Sequence, residues 1–150
     1  MMKIEEAIKQ KEFKDPYNKA IVNLLYTQSH IVSQQSSLFK PFGLSPEQYN
    51  VLRILRGQNG NPITVSSIQE RMLNRMSNAS RLVEKLKQKG LVIREESARD
   101  RRQVDVLITD KGLDVLQNLE ASIYRLNREL VKLNEEEVNQ LNDLLDRLRG

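Results

Sequence analysis

The fold is decided by one stretch: Gly90-Leu91-Val92-Ile93-Arg94-Glu95-Glu96, then Ser97-Ala98-Arg99-Asp100-Arg101-Arg102, then Gln103-Val104-Asp105-Val106-Leu107-Ile108-Thr109. In the last piece Val104, Val106 and Ile108 alternate with Gln103, Asp105 and Leu107, the period of two of a strand. The spacing predicts strands over Leu91–Glu96 and Gln103–Thr109, joined by the polar hairpin tip Ser97–Arg102. Arg99, Arg101 and Arg102 crowd around Asp100 at that tip. A short guanidinium-bearing loop suits a DNA minor groove, where narrow A·T tracts concentrate negative potential. Asp100 is expected to pair with one arginine and fix its direction.

Upstream, the pattern predicts a helix from about Met76 to Lys89, with Gly90 just past its end, the usual place for a left-handed residue. On a wheel of ~100° per residue, Ala79, Leu82, Val83 and Leu86 share one arc. Ser77, Asn78, Arg81 and Lys85 fall opposite, and Met76 falls toward the apolar side, so core packing is expected of it. The polar face suits a major groove: arginine can bond guanine bidentately and asparagine adenine, while serine and lysine can serve bases or phosphates.

Before it, Thr64 can cap a short helix carrying Ile68 and Met72. Ser45-Pro46-Glu47-Gln48 is a capping box ahead of a helix with Tyr49, Leu52 and Leu55, which stops in the loop Gly57–Pro62. Asp15-Pro16 opens a long helix patterned by Ile21, Leu24, Leu25, Ile31, Val32, Leu38 and Phe39. Ile4, Ala7 and Ile8 mark a short extra helix. Downstream, Thr109-Asp110 opens a helix whose Leu116, Leu119, Ile123, Leu126, Leu130 and Leu133 form a heptad seam over a span reaching Leu133. Asn134 and Glu137 cap a last helix with Val138, Leu141, Leu145 and Leu148. That seam overruns the small core available, so a homodimer joined by the terminal helices is expected.

The net charge of +4 is unevenly spread. Residues 64–112 hold eleven basic and seven acidic side chains, and residues 113–150 five and eight. The basic middle points to an anionic partner such as nucleic acid. No cysteine is present, which excludes disulfides, thiolate metal sites and cysteine redox sensing. His30 is the single histidine and cannot build a metal site without unusual oxygen ligands. With no Gly-rich phosphate loop either, no catalytic set remains, and neither an enzyme nor a cofactor is expected. Glu135-Glu136-Glu137 is first-turn charge on a helix dipole rather than a pair of catalytic acids. Aromatic residues are only 5%, thin material for an aromatic-lined cleft. No stretch nears the ~20 apolar residues of a membrane span, and Met1–Pro16 lacks the apolar segment of a signal peptide. A cytoplasmic protein without a membrane partner is expected.

Helix, helix, helix, strand, basic hairpin, strand is the order of a winged helix-turn-helix. Gly90-Leu91-Val92-Ile93-Arg94, Asp100-Arg101-Arg102, and Val104 through Thr109 to Gly112 strongly resemble the MarR family of bacterial transcriptional regulators. Ser80-Arg81-Leu82-Val83-Glu84-Lys85-Leu86 also looks like that family's recognition helix. Ile108 stands where leucine is usual, and Leu73-Asn74-Arg75-Met76 departs from the usual Gly-Leu-Ser-Lys-like turn. The resemblance implies one mainly α protomer with a small β-hairpin wing. Residues 1–44 and 113–150 would be dimerisation helices, and residues 45–112 the DNA-binding lobe. It implies a triangular homodimer gripping adjacent turns of double-stranded DNA at an inverted-repeat operator. By position, Arg102 corresponds to the arginine that enters the minor groove and Asp100 to its orienting partner. Ser77, Asn78 and Arg81 fall on the DNA-contacting face, with Thr64 and Ser66 as weaker phosphate-contact candidates and Arg75 at the helix entrance. Lys85, Arg99 and Arg101 complete the candidate surface.

Many relatives sense small aromatic molecules between the dimerisation helices and the lobe, so such an effector is a candidate partner, but no residue names it. The expected function is a sequence-specific DNA-binding regulator, a repressor relieved by a small molecule. The alternative is a protein-interaction module on the same scaffold, since fold does not fix function.

Overall fold

The protein, described over residues 1–150 by a computed structural model, runs α1 (Ile4–Ala7), α2 (Pro16–Phe39), a 3-10 turn (Lys40–Phe42), α3 (Pro46–Arg56), β1 (Ile63–Thr64), α4 (Val65–Arg71), α5 (Ala79–Gln88), β2 (Val92–Glu96), β3 (Val104–Ile108), α6 (Asp110–Leu130) and α7 (Glu135–Arg149). Every helix from α2 onward starts on a side-chain cap. Asp15, Ser45, Thr64, Asn78, Thr109 and Asn134 each accept the backbone N–H three residues on. Such a cap stabilises a helix by ~1 kcal/mol, and together they set where each helix begins. Ser45 with Gln48 and Asn134 with Glu137 form reciprocal capping boxes.

The sheet is antiparallel with order β1-β3-β2. β2 and β3 form the expected hairpin, Val92 opposite Ile108 and Glu96 opposite Val104. The third strand was not expected: Ile63 and Thr64 pair with Val106 and Asp105. Two residues are too few to display a period of two. The architecture is a winged helix-turn-helix flanked by long helices.

The core lies inside residues 39–119. Val51, Leu52 and Leu55 of α3 meet Ile68 of α4, Ala79, Val83 and Leu86 of α5, Val92 and Val106 of the sheet, and Leu116 and Leu119 of α6. From α2 only Phe39 is buried, stacked on Tyr49 at 4.4 Å between ring centroids. Along the rest of α2, Leu38 packs against the core and Val22, Leu24, Ile31 and Val32 are half-buried, while Ile21 and Leu25 are exposed. α7 buries no residue. The long seam is also cut shorter than its spacing predicts. α6 ends at Leu130, and Leu133 lies beyond it in the segment before α7. α1 is tied down by buried Ile4 and by a 2.6 Å ion pair between Glu5 and Lys19.

One joint connects the lobe to the long helices. α5 ends through Gly90, whose φ of +72° suits glycine. The Thr109 hydroxyl donates to the Gly90 carbonyl at 2.7 Å and accepts the Gly112 N–H. The Thr109 N–H donates to the Leu91 carbonyl at 3.0 Å. A Cβ on Gly112 would lie 2.5 Å from that carbonyl oxygen and 2.7 Å from Ile108 Cγ1. The motif Thr109-x-x-Gly112 is therefore a packing requirement: a capping hydroxyl, then a residue with no side chain where helix meets strand.

Gly112→Ala is expected to lower stability by about 1–3 kcal/mol, read as a lower urea midpoint at unchanged slope. Separately, the hydrogen bond from Lys19 holds the Glu5 carboxyl below its usual range. The pair's contribution is present above the ordinary carboxylate pKa and lost as pH falls through the lowered one. Lys19→Met should raise the Glu5 titration, followed by NMR, toward its ordinary position.

Candidate nucleic-acid interface

α5 has two faces. Ala79, Val83 and Leu86 are buried, while Ser80, Arg81 and Lys85 are exposed on the other side. Between them Glu84 accepts a 2.7 Å hydrogen-bonded ion pair from Arg94 of β2. This contact crosses from the helix to the wing strand and holds the two at a set spacing. Partly exposed, it contributes at most about 1 kcal/mol.

The helix begins at Ala79, three residues later than its pattern predicts. Asn74 is responsible. Its side chain accepts the Met76 N–H at 3.0 Å and its carbonyl accepts the Ser77 N–H at 3.0 Å, a local turn that competes with helix. Asn78 then caps, accepting the Arg81 N–H at 3.1 Å. Ser77 and Asn78 thus precede the helix rather than riding on its polar face. The Ser77 Oγ is buried without a partner, turned away from the exposed surface. The oxygen of Asn78 is committed to its cap, and the residue is exposed. Met76, expected in the core, is 92% exposed. The wheel extended a helix through residues that form a turn.

Gln69 of α4 clamps that turn. Its amide donates to the Ser77 carbonyl at 2.8 Å and its oxygen accepts the Ala79 N–H at 2.9 Å. Asn50 of α3 accepts the Leu73 N–H at 2.9 Å. Sequence reasoning missed Gln69, Asn50 and the Arg94–Glu84 pair. No local spacing announces them, because their partners lie on other elements. At the start of α4, Thr64 is half-buried and spends its hydroxyl on Ser67, accepting the N–H and donating to the Ser67 Oγ. Ser66 is exposed on the first turn, and Arg75 is exposed on the turn before α5.

In the wing, the expected guanidinium pairing of Asp100 is replaced by a backbone role. Its carboxylate accepts the Arg102 N–H at 2.9 Å, and its carbonyl accepts the Gln103 N–H at 3.0 Å. No guanidinium nitrogen lies within 4.0 Å of the Asp100 carboxylate. The Ser97 N–H closes the hairpin on the Gln103 carbonyl, and Ser97 Oγ accepts the Arg99 N–H. Asp100 thereby sets the main chain from which Arg102 projects. Arg99, Arg101 and Arg102 are all exposed and outside the ion pairs of the structure. The tip and the exposed face of α5 present a guanidinium- and ammonium-rich pair of surfaces, one on a rigid helix and one on a hairpin.

Behind α5, Lys89 donates to the Gly43 carbonyl and, at 3.0 Å, to Gln48 Oε1. It borders an open depression of about 400 Å³ lined also by Ser36, Lys40, Leu44 and Ser45. His30 lies exposed on α2.

Removing the clamp by Gln69→Ala strands a half-buried backbone donor and should cost about 1–3 kcal/mol. Thermal unfolding checks the loss. Hydrogen exchange should show it concentrated at the Ala79 and Arg81 amides.

A sequence profile of the MarR family matches residues 42–103. The chain is 32% identical over 107 residues to the HTH-type transcriptional regulator MhqR of Bacillus subtilis, a match covering 71% of this chain and 72% of that one. It is 26% identical over 106 residues to the transcriptional repressor MprA of Escherichia coli, covering 69% and 60%. Among solved structures, the organohalide-sensing transcriptional regulator RdhR in its 2,4-dichlorophenol-bound form superposes with a TM-score of 0.82. That match covers 93% of this chain and 85% of RdhR at 19% identity, a likeness of fold.

Proposed function

The chain belongs to the MarR family of DNA-binding transcriptional regulators, and from that premise we propose that it is a homodimeric reader of an inverted-repeat operator, a repressor relieved by a small molecule. The observation that carries this reading is the pairing of α5's exposed Ser80, Arg81 and Lys85 with the free arginines of the wing, the two held together through Arg94 and Glu84. In this reading α5 lies in the major groove. Arg81 reads a base edge, Lys85, Arg75 and Ser66 meet bases or phosphates, and the Asn78 amide is free to donate. Arg102, aimed by the Asp100 turn, enters the minor groove with Arg99 and Arg101 beside it. Thr64 acts through its cap, setting the start of α4. Regulation of this kind is carried out in the cytoplasm on double-stranded DNA, with no membrane partner.

The dimer follows from unspent apolar surface. Tyr17, Ile21 and Leu25 of α2, Val131 and Leu133 after α6, and Leu141, Leu144 and Leu148 of α7 are exposed. We assign residues 1–44 and 113–150 to the dimer and 45–112 to DNA. Two lobes then meet half-sites about one helical turn apart. The effector in this reading is a small aromatic molecule. Its candidate seat is the depression beside Lys89, because that lysine bonds both the end of α2's connection and α3 while standing at the foot of α5.

Selection from a random duplex pool tests the reading. It should return an inverted repeat whose affinity falls steeply with salt. Arg102→Ala should weaken binding about tenfold or more with folding intact, and Arg81→Ala should cost about 1–3 kcal/mol and relax one base position. Equal weakening on all sequences would make Arg81 a phosphate contact. Stable capture of a second protein with no salt-dependent DNA affinity would favour the protein-interaction module instead. The mass in solution should be twice 17.4 kDa, and Leu141→Asp with Leu148→Asp should halve it and abolish operator binding.

A further inference from the structure

The large apolar side chains that the protomer leaves bare fall into two groups. Apart from Met1, Met2 and Phe42, one lies on α2, α6, α7 and the segment before α7, where the proposed second copy covers it. The other lies in the lobe. Between residues 45 and 112 the exposed large apolar residues are Leu73, Met76 and Ile93, and the first two are nearly bare, at 88% and 92% exposure. Both sit on the turn between α4 and α5, directly ahead of the α5 cap. This turn is not slack. Asn50 holds the Leu73 N–H, Asn74 holds the Met76 N–H, and the Asn74 carbonyl holds the Ser77 N–H. The backbone is fixed at both ends, so the two side chains are held out rather than left to collapse onto the core.

Their surroundings identify what they meet. From Arg71 to Val83 the chain carries three arginines, Arg71, Arg75 and Arg81, and no carboxylate. An apolar protein surface laid over this turn would strand those guanidinium groups, a costly burial of unpaired charge. A DNA duplex satisfies both kinds of group at once, with phosphates for the arginines and thymine C5-methyl groups for apolar side chains. The turn is also continuous with the end of α5 that meets base edges.

We propose that Leu73 and Met76 are specificity residues that pack against thymine methyl groups in the major groove, beside the bases read by α5. The inference rests on the DNA-binding reading above and adds a base preference to it. It also accounts for two large apolar residues on a turn that faces water in the free protein.

The test uses the full chain and the duplex recovered by random-pool selection. In companion duplexes each thymine of a half-site is replaced in turn by deoxyuridine, which removes the methyl group and nothing else. At one or two positions the replacement should weaken binding about fourfold for each methyl lost. The double variant Leu73→Asn, Met76→Gln should bind thymine and deoxyuridine duplexes alike, with unfolding temperature and salt slope unchanged. Wild-type affinity that ignores every replacement overturns the proposal, as does a double variant that keeps the wild-type preference for thymine. If the wild-type chain binds no duplex at all, the DNA-binding reading falls with it. Salt-dependent binding that ignores the methyl groups overturns this inference alone.

Discussion

Three elements with different tasks meet where Gly90, Leu91, Thr109 and Gly112 crowd together, and the geometry of the protein depends on that crowding. The end of α5, the start of β2 and the start of α6 are joined there by the Thr109 hydroxyl, which both donates to Gly90 and caps α6. The Leu91 carbonyl comes so near Gly112 that no side chain fits. Lys111 adds a 3.0 Å bond to the Lys89 carbonyl across the same seam. The helix proposed to read DNA and the helix proposed to carry the dimer interface are thus connected with little freedom between them. A shift of α6 is passed to α5 and the wing base, the mechanical coupling that the proposed dimeric reader requires.

The reading surface itself is held by side-chain amides. Gln69, Asn50, Asn74 and Asn78 between them accept the Leu73, Met76, Ala79 and Arg81 N–H groups of the turn and the first turn of α5. These bonds satisfy N–H groups that would otherwise be left without partners, and they leave the arginines of the surface uncommitted. The wing follows the same logic. Asp100 acts on the main chain at Arg102 rather than on a guanidinium, so three arginines remain free. Order is supplied by neutral amides, by Asp100 and by the Glu84–Arg94 pair, and the remaining arginines stay uncommitted.

Outside the lobe the balance is different. α7 buries nothing and α2 buries only Phe39. α7, and the part of α2 that lies away from the core, gain little from the protomer alone, since most helical stability in proteins comes from packing an apolar face. Folding of these helices and assembly of the protein are therefore coupled in the proposed homodimer. An effector wedged near Lys89, between the long helices and the lobe, would act on that coupling.

Most of the architecture is legible in the sequence because its signals are local. Caps at Asp15, Ser45, Thr109 and Asn134, the left-handed position at Gly90, and the alternation at Val104, Val106 and Ile108 each involve residues within a few positions of one another. The charged wing tip and the polar face of Arg81 and Lys85 are legible for the same reason. What the sequence could not decide depends on a local turn competing with the helical pattern and on partners far apart in the chain. The late start of α5, the exposure of Met76 and the burial of the Ser77 Oγ come from the turn at Asn74 and the clamp from Gln69. β1 exists because β3 is there to pair with it. Local chemistry determines which helices and strands form and which charges they carry. The tertiary structure decides where α5 begins and which of its neighbours face water, because the Asn74 turn, clamped by Gln69 from α4, outweighs the helical pattern at those few residues.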